Sequence, residues 1–203
     1  MQRLVTTTHL EMTDRGRFRP ARPASLDYRL LRAEIPCPEL NRFLYASVGA
    51  RWWWYARLSW DYSRWLAYLD RAELETHVAY VAGTPAGYFE LERQEGGSTE
   101  ITIFGVLPGF IGKGLGGALL SAAVSRAWDA GAARVWVHTC TLDHPHALRN
   151  YQARGFEVFR IEEKMKTLPD RPLEPWPGAN IHSFPLRIDK GPIRCSGWSS
   201  ESS

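Results

Sequence analysis

Seven residues, Ile111-Gly-Lys-Gly-Leu-Gly-Gly117, stand between a β-prone apolar run and an apolar helical run. Glycines in that place let the backbone come close to a ligand. The start of the following helix offers unpaired N–H groups and the positive end of a dipole. Together they make a cradle for a phosphate or diphosphate, and Lys113 adds a cation beside it. The plain alternative is a glycine-rich turn that packs tightly. Further along, His138 closes the apolar run Val135–Val137. An imidazole there has the right proton affinity for a general base, and a hydrogen-bonded core histidine is the plain alternative. Asp143, His144 and His146 are metal-capable residue types. Their spacing, with His138 included, matches no standard ligand set, so no metal is expected.

Three phosphate-binding classes compete for the glycine loop. A P-loop needs Gly-Lys-Ser/Thr, and Gly112-Lys113 is followed by Gly114, with no hydroxyl for Mg²⁺. The dinucleotide pattern is met literally by Gly112, Gly114 and Gly117. That fold also needs an acidic residue at the end of the next strand, and here the strand ends His138-Thr139. The third class rests on resemblance. Val106-Leu-Pro-Gly-Phe-Ile-Gly-Lys-Gly-Leu-Gly-Gly-Ala-Leu-Leu120 resembles motif A of the GNAT superfamily of acyl-CoA N-acyltransferases. Asp143-His-Pro-His-Ala-Leu-Arg-Asn-Tyr-Gln-Ala-Arg-Gly-Phe156 resembles its motif B, in the right order. The resemblance covers roughly residues 76–163. It departs from the family at Ile111, where the motif has Gln or Arg, and at His144, where it has Asn.

The resemblance implies a GNAT fold: α/β, with a mixed sheet of six to seven strands flanked by helices and a V-shaped splay between the central two. It implies acetyl-CoA or another acyl-CoA as co-substrate. Backbone groups at Val106 and Leu107 would hold the pantetheine arm. The loop Gly112, Lys113, Gly114, Leu115, Gly116 and Gly117 would take the pyrophosphate, and His144 falls among the CoA-binding positions. Tyr151 aligns with the family tyrosine that faces the sulfur, and a phenol is protonated at neutral pH and can act as an acid. Glu100, on the strand leading into the loop, stands where several GNAT enzymes place a base, with His138 as second candidate. Period-two alternation puts Glu100, Thr102 and Phe104 on one face of that strand.

The elements that must hold these groups read as follows. An N-terminal strand over Leu4–Met12 precedes an Arg- and Pro-rich linker. Strand Tyr28–Ala33 and helices over Glu39–Val48 and Asp61–Leu69 follow. Strands Val78–Ala82 and Ala86–Leu91 flank the turn GTPAG, and Thr99–Val106 completes a meander. A helix over 115–130 leads to strand Arg134–Thr139. Asp143 is expected to N-cap a helix running to about Arg154, before a last strand, Glu157–Lys164. Residues 1–25 are read as strand plus linker, 26–167 as the acyltransferase domain, and 168–203, with six of the thirteen prolines, as a tail without its own core.

Composition sets the partners. The chain has 203 residues, 44% hydrophobic and 23% charged, as ordinary folded domains do. No run is long and apolar enough to span a membrane, and the N-terminus lacks a signal-peptide core, so a cytoplasmic protein is expected. Cys37, Cys140 and Cys195 form no disulfide framework. Net charge is +3, but residues 26–167 hold 16 basic and 16 acidic side chains. That balance argues against a nucleic-acid partner. The stretch RWWWYARLSWDYSRW, residues 51–65, holds five of nine tryptophans. It would wall an acceptor pocket or fill the core, and Arg51, Arg57 and Arg64 within it would meet an acceptor carboxylate. The reading is an N-acyltransferase, most simply an N-acetyltransferase, acting on a small-molecule amine by direct attack in a ternary complex. A GNAT-like transferase using aminoacyl-tRNA and a non-catalytic acyl-CoA-binding module are the alternatives. A homodimer is compatible with the sequence.

Overall fold

Ala82 and Gly83 both take left-handed backbone angles, φ 48° and 79°, the geometry of a two-residue hairpin whose twist matches its strands. The turn is therefore tighter than the GTPAG stretch suggests, and the second strand starts at Thr84. The structure, a computed structural model, describes residues 1–172, 174–176 and 179. The expectation of a coreless tail lies mostly outside the described residues. The order is β1 (Gln2–Met12), β2 (Arg29–Ala33), α1 (Pro38–Gly49), α2 (Tyr62–Leu69), β3 (Leu74–Val81), β4 (Thr84–Gln94), β5 (Ser98–Val106), α3 (Leu115–Asp129), β6 (Arg134–Cys140), α4 (Ala147–Ala153) and β7 (Glu157–Thr167). No helix among the described residues is long and apolar enough to cross a membrane.

The strands form one mixed sheet in the order β2-β3-β4-β5-β6-β1-β7. The β5–β6 pair is parallel, and the other pairs among the described residues are antiparallel. β1, which the sequence places ahead of the main domain, lies inside this sheet between β6 and β7. The linker after it runs back along α3. Arg15 pairs with Asp129 at 2.7 Å, the Ala21 amide donates to Ser121 Oγ at 2.8 Å, and Ser25 Oγ donates to the Lys113 carbonyl at 2.9 Å.

Two apolar layers clamp the sheet. α3 packs Leu119, Leu120, Ala123 and Val124 onto Leu10, Phe89, Leu91, Ile101, Val135 and Val137. α1 and α2 pack Leu44, Val48, Trp65 and Leu69 onto Val78, Tyr88 and Ile103. Ile101 and Ile103 therefore face opposite layers. The cause is a bulge: Leu91 pairs with Ile101 and Glu90 with Ile103, so Thr102 is an extra residue in β5. The straight alternation expected for Glu100, Thr102 and Phe104 breaks there, and Phe104 joins the α3 layer with Ile101.

Beyond this point β5 and β6 separate. Their pairing covers only Ser98–Glu100 against Arg134–Trp136, although both strands continue, to Val106 and Cys140. A second correction concerns Asp143, which caps no helix. Its Oδ2 accepts from Thr139 Oγ1 and the Cys140 amide, both at 2.8 Å, closing the turn after β6. α4 starts later, at Ala147, with His146 before it making no side-chain cap.

Candidate active site

A cleft of about 1230 Å³ opens where β5 leaves β6. The glycine loop forms one end. Gly112 and Gly114 sit at φ 82° and 77°, which side-chain-bearing residues adopt at a cost, and Gly114 starts α3. At Gly117 a Cβ would meet Arg154 Nη1 at 2.9 Å and Ala21 Cβ at 3.0 Å. The first α3 amide with an acceptor is that of Ala118, bonded to the Gly114 carbonyl at 3.2 Å. Among the described residues, the amides of 112–117 donate to nothing. Beside them the buried Arg154 Nε also lacks a partner. Unclaimed donors, a helix start and close backbone approach suit a diphosphate.

The glycine loop thus presents backbone rather than side chains to the cleft. Val106, Gly112, Gly114, Gly116, Gly117 and His144 line the cleft, whereas Leu107, Lys113 and Leu115 do not. Leu115 is fully buried in the core. The Leu107 amide donates to the Ala86 carbonyl at 2.8 Å, so it is not free to hold a pantetheine arm. That part of the expectation is corrected, and Val106 remains as the strand residue facing the opening.

At the other end the two base candidates turn out to be neighbours. Glu100 Oε1 lies 3.4 Å from His138 Nδ1. The carboxylate is 12% exposed and the imidazole 47%. Glu100 Oε2 accepts from Gln94 Nε2 at 3.0 Å, and Gln94 Oε1 accepts from Trp136 Nε1 at 2.9 Å. This chain of bonds fixes the carboxylate while leaving His138 open to solvent. Tyr151, 5% exposed, meets Phe104 and Phe156 edge-on, each with ring centroids 6.1 Å apart. Burial, and then the charge of Asp143, hold its phenol well above the usual range, so it carries its proton at neutral pH.

A family model described as the acetyltransferase (GNAT) family matches residues 36–156. The chain belongs to the GNAT acetyltransferase family. Solved GNAT structures share the fold. One is a GCN5-related N-acetyltransferase from Sphaerobacter thermophilus, 18% identical, with a TM-score of 0.56, covering 80% of this chain and 52% of that one. Another is an acetyltransferase from Bacillus subtilis in complex with CoA, 22% identical, with a TM-score of 0.52, covering 66% of this chain and 79% of that one. A third is an aminoglycoside acetyltransferase from an uncultured soil metagenomic sample, 18% identical, with a TM-score of 0.51, covering 63% and 86%. The chain spans 52% to 62% of the first three structures it matches. No curated protein matches it in sequence.

The GNAT cleft continues beneath the tryptophan-rich stretch, which the structure divides. Trp52, Trp53, Trp54 and Tyr55 line the cleft. Trp60 and Trp65 pack with Tyr45 and Tyr68 in the α1–α2 layer. Arg57 also lines the cleft, but its charge is spent: it meets the buried Glu90 at 2.9 Å. Glu90 also accepts from Asn41 Nδ2 at 2.9 Å and the Tyr68 hydroxyl at 2.6 Å. Burial and Glu90 together push the Tyr68 phenol up, so this network is fully donated into one carboxylate. Arg51 and Arg64 do not line the cleft, and Arg64 lies over Trp60, 4.6 Å from its ring centroid.

His144 meets Trp52 edge-on at 5.1 Å, and its Nδ1 accepts from the His146 amide at 3.1 Å. Cys140 lines the cleft, and burial followed by Asp143 raises its thiol pKa. It is a poor thiolate. Sequence reasoning missed the floor of the cleft: Thr7 and His9 from β1, and Glu162, Lys164 and Lys166 from β7. His9 pairs across strands with His138, and its ring lies 5.8 Å from that ring. Only the sheet order reveals these residues, because β1 reads as a separate leader.

Proposed function

We propose that this protein is an N-acetyltransferase that moves an acyl group from acetyl-CoA, or a related acyl-CoA, to the amine of a small-molecule acceptor in a ternary complex. The observation that carries the reading is the early divergence of β5 from β6. It leaves one continuous cleft with unclaimed amides at one end and the Glu100–His138 pair at the other. The Bacillus subtilis structural neighbour holds CoA, which supports the same donor here.

The thioester supplies an activated acyl carbon. The amides of 112–117 and the α3 dipole hold the diphosphate without any side chain. Val106 offers strand backbone to the arm. Glu100, directly or through His138, takes the proton that the amine sheds as the C–N bond forms. Tyr151 gives its phenolic proton to the sulfur as the C–S bond breaks and regains one from solvent. The walls at Trp52–Tyr55 exclude water from the acceptor.

The test combines calorimetric titration of CoA with thiol release across an amine panel. Saturable CoA binding with thiol release from at least one amine is expected. CoA binding without any turnover favours a non-catalytic module, and absence of CoA binding ends the reading.

A further inference from the structure

The floor of the acceptor arm carries a feature that acyl transfer alone does not require. Arg3 of β1 and Lys166 of β7 are directly opposed in the antiparallel register. Like charges so placed repel and destabilise a sheet. Neither makes an ion pair with a carboxylate among the described residues. Two residues along β7, on the same face, stands Lys164, opposite Val5. None of the nearby carboxylates pairs with Arg3 or Lys166 among the described residues. Glu162 holds both Arg160 and Lys164, the latter at 3.6 Å. Asp170 meets the terminal ammonium at 3.3 Å, and Glu163 accepts from Thr6 Oγ1 at 3.1 Å.

The roof above these cations points the same way. Arg3 lies over the Trp53 ring, 5.4 Å from its centroid. Trp53 Nε1 is buried and has no acceptor. Trp53, Lys164 and Lys166 all line the cleft that reaches Glu100 and His138. The cleft is therefore polarised: Glu100 lies at the inner end, while at the outer end Lys164 shares Glu162, and Arg3 and Lys166 have no carboxylate and Trp53 Nε1 no acceptor among the described residues. The occupant is not the donor's diphosphate, since α3 packs on the face of β1 that carries Leu10 and Met12, whereas Arg3, opposite Lys166, belongs to the alternate set of β1 residues that faces the other way.

We propose that Arg3, Lys164 and Lys166 form an anion subsite, so that the acceptor is an elongated amine bearing a carboxylate or phosphate. The inference rests on the acyl-transfer reading for the inner end. Scale follows from the sheet. His9 shares a row with His138, and Val5 and Arg3 stand four and six residues further along β1. At ~3.4 Å per residue those rows lie roughly 13–20 Å away. Side chains reaching inward from both ends leave on the order of 10 Å between the acceptor nitrogen and its anion, the span of about three extended residues.

The experiment pairs charged probes with neutral partners: triglycine with triglycinamide, and 6-aminohexyl phosphate with 6-aminohexanol. Calorimetric titration of the full chain is expected to show the charged member binding about tenfold tighter. The preference should fall to about twofold or less in the Arg3→Gln, Lys166→Gln double variant. The pair with the larger preference tells carboxylate from phosphate. Equal binding of both members by the wild type, including no binding by either, overturns the subsite, as does an unchanged preference in the double variant. Thiol release from acetyl-CoA is followed in parallel. Release without charge preference refutes the subsite and spares the acyl-transfer reading. Preference without release supports the subsite and counts against acyl transfer.

Discussion

Glu90 is 1% exposed and receives three donors, one of them the Arg57 guanidinium. Its own carbonyl accepts from Thr102 Oγ1 at 3.4 Å, and Thr102 is the bulged residue from which β5 turns away. Glu90→Ala would leave a largely buried cation and two other donors without their acceptor. Breaking one side of a buried ion pair costs about 3–5 kcal/mol. With a urea slope of about 2 kcal/mol/M, the unfolding midpoint should fall by roughly 2 M at unchanged slope. Glu90→Gln keeps an acceptor for Arg57 and Tyr68, and Asn41 can turn its amide to match, so the loss is only that of charge assistance, about 1.5–3 kcal/mol. Arg57→Met combined with Glu90→Leu removes both charges and should cost less than either truncation alone. Urea melts followed by tryptophan fluorescence read all three. A midpoint for Glu90→Ala within about 0.3 M of wild type would show that the network does not carry the pair energy assigned to it.

Further expectations concern the chemistry and the cradle. Glu100→Gln should lower turnover at neutral pH by about 10²–10⁴ while CoA affinity stays put; full activity across pH 6–9 would remove Glu100 as the base. Tyr151→Phe keeps the contacts with Phe104 and Phe156, so stability should change by less than about 1 kcal/mol while turnover drops; a wild-type rate would reduce Tyr151 to packing. Gly117→Val should weaken CoA binding by about tenfold, because its side chain must displace Arg154 or Ala21, and calorimetry with unaltered CoA affinity would argue against the cradle. Glu75 offers a pH test. Burial pushes its carboxyl up, but hydrogen bonds from Arg126 and His77 and the charge of Arg32 outweigh this and hold it at about 2. A folded pKa below the unfolded value of about 4.3 gives stability present above pH ~4.3 and lost as pH falls through ~2. The loss should be about 2–3 kcal/mol, and urea midpoints of Glu75→Gln should lack that part of the acid slope.

The glycine loop, the α3 run and the β5–β6 order were legible because each is written in contiguous residues with their own period. Tyr151 was found through its spacing from Gly155-Phe156 and does line the cleft. What stayed hidden depends on registry between distant segments. The Thr102 bulge exists because β4 and β5 pair out of step, and nothing in ITIFGV announces it. Glu90 sits in an alternating run, YFELER, where a charge reads as solvent-facing; its acceptors' donors come from α1, α2 and the loop between them. Asp143 looks like a helix cap, yet the turn after β6 and Trp54 Nε1, at 3.2 Å, claim its oxygens first. His9 and the β7 lysines became cleft residues only through the placement of β1.

That placement also bears on how the chain reaches its native state. β1 finds no partner until β6 and β7 exist, and about 145 residues separate its last residue from the first of β7. At ribosomal speeds of about 5–20 residues per second, the leading strand waits roughly 6–24 s for β6 with both edges bare. Such a strand invites pairing with other chains during synthesis. Closure of the sheet is thus a late, long-range event, and this wall of the cleft forms only when the two ends of the described chain are sewn together, so that an assembled cleft certifies a finished fold.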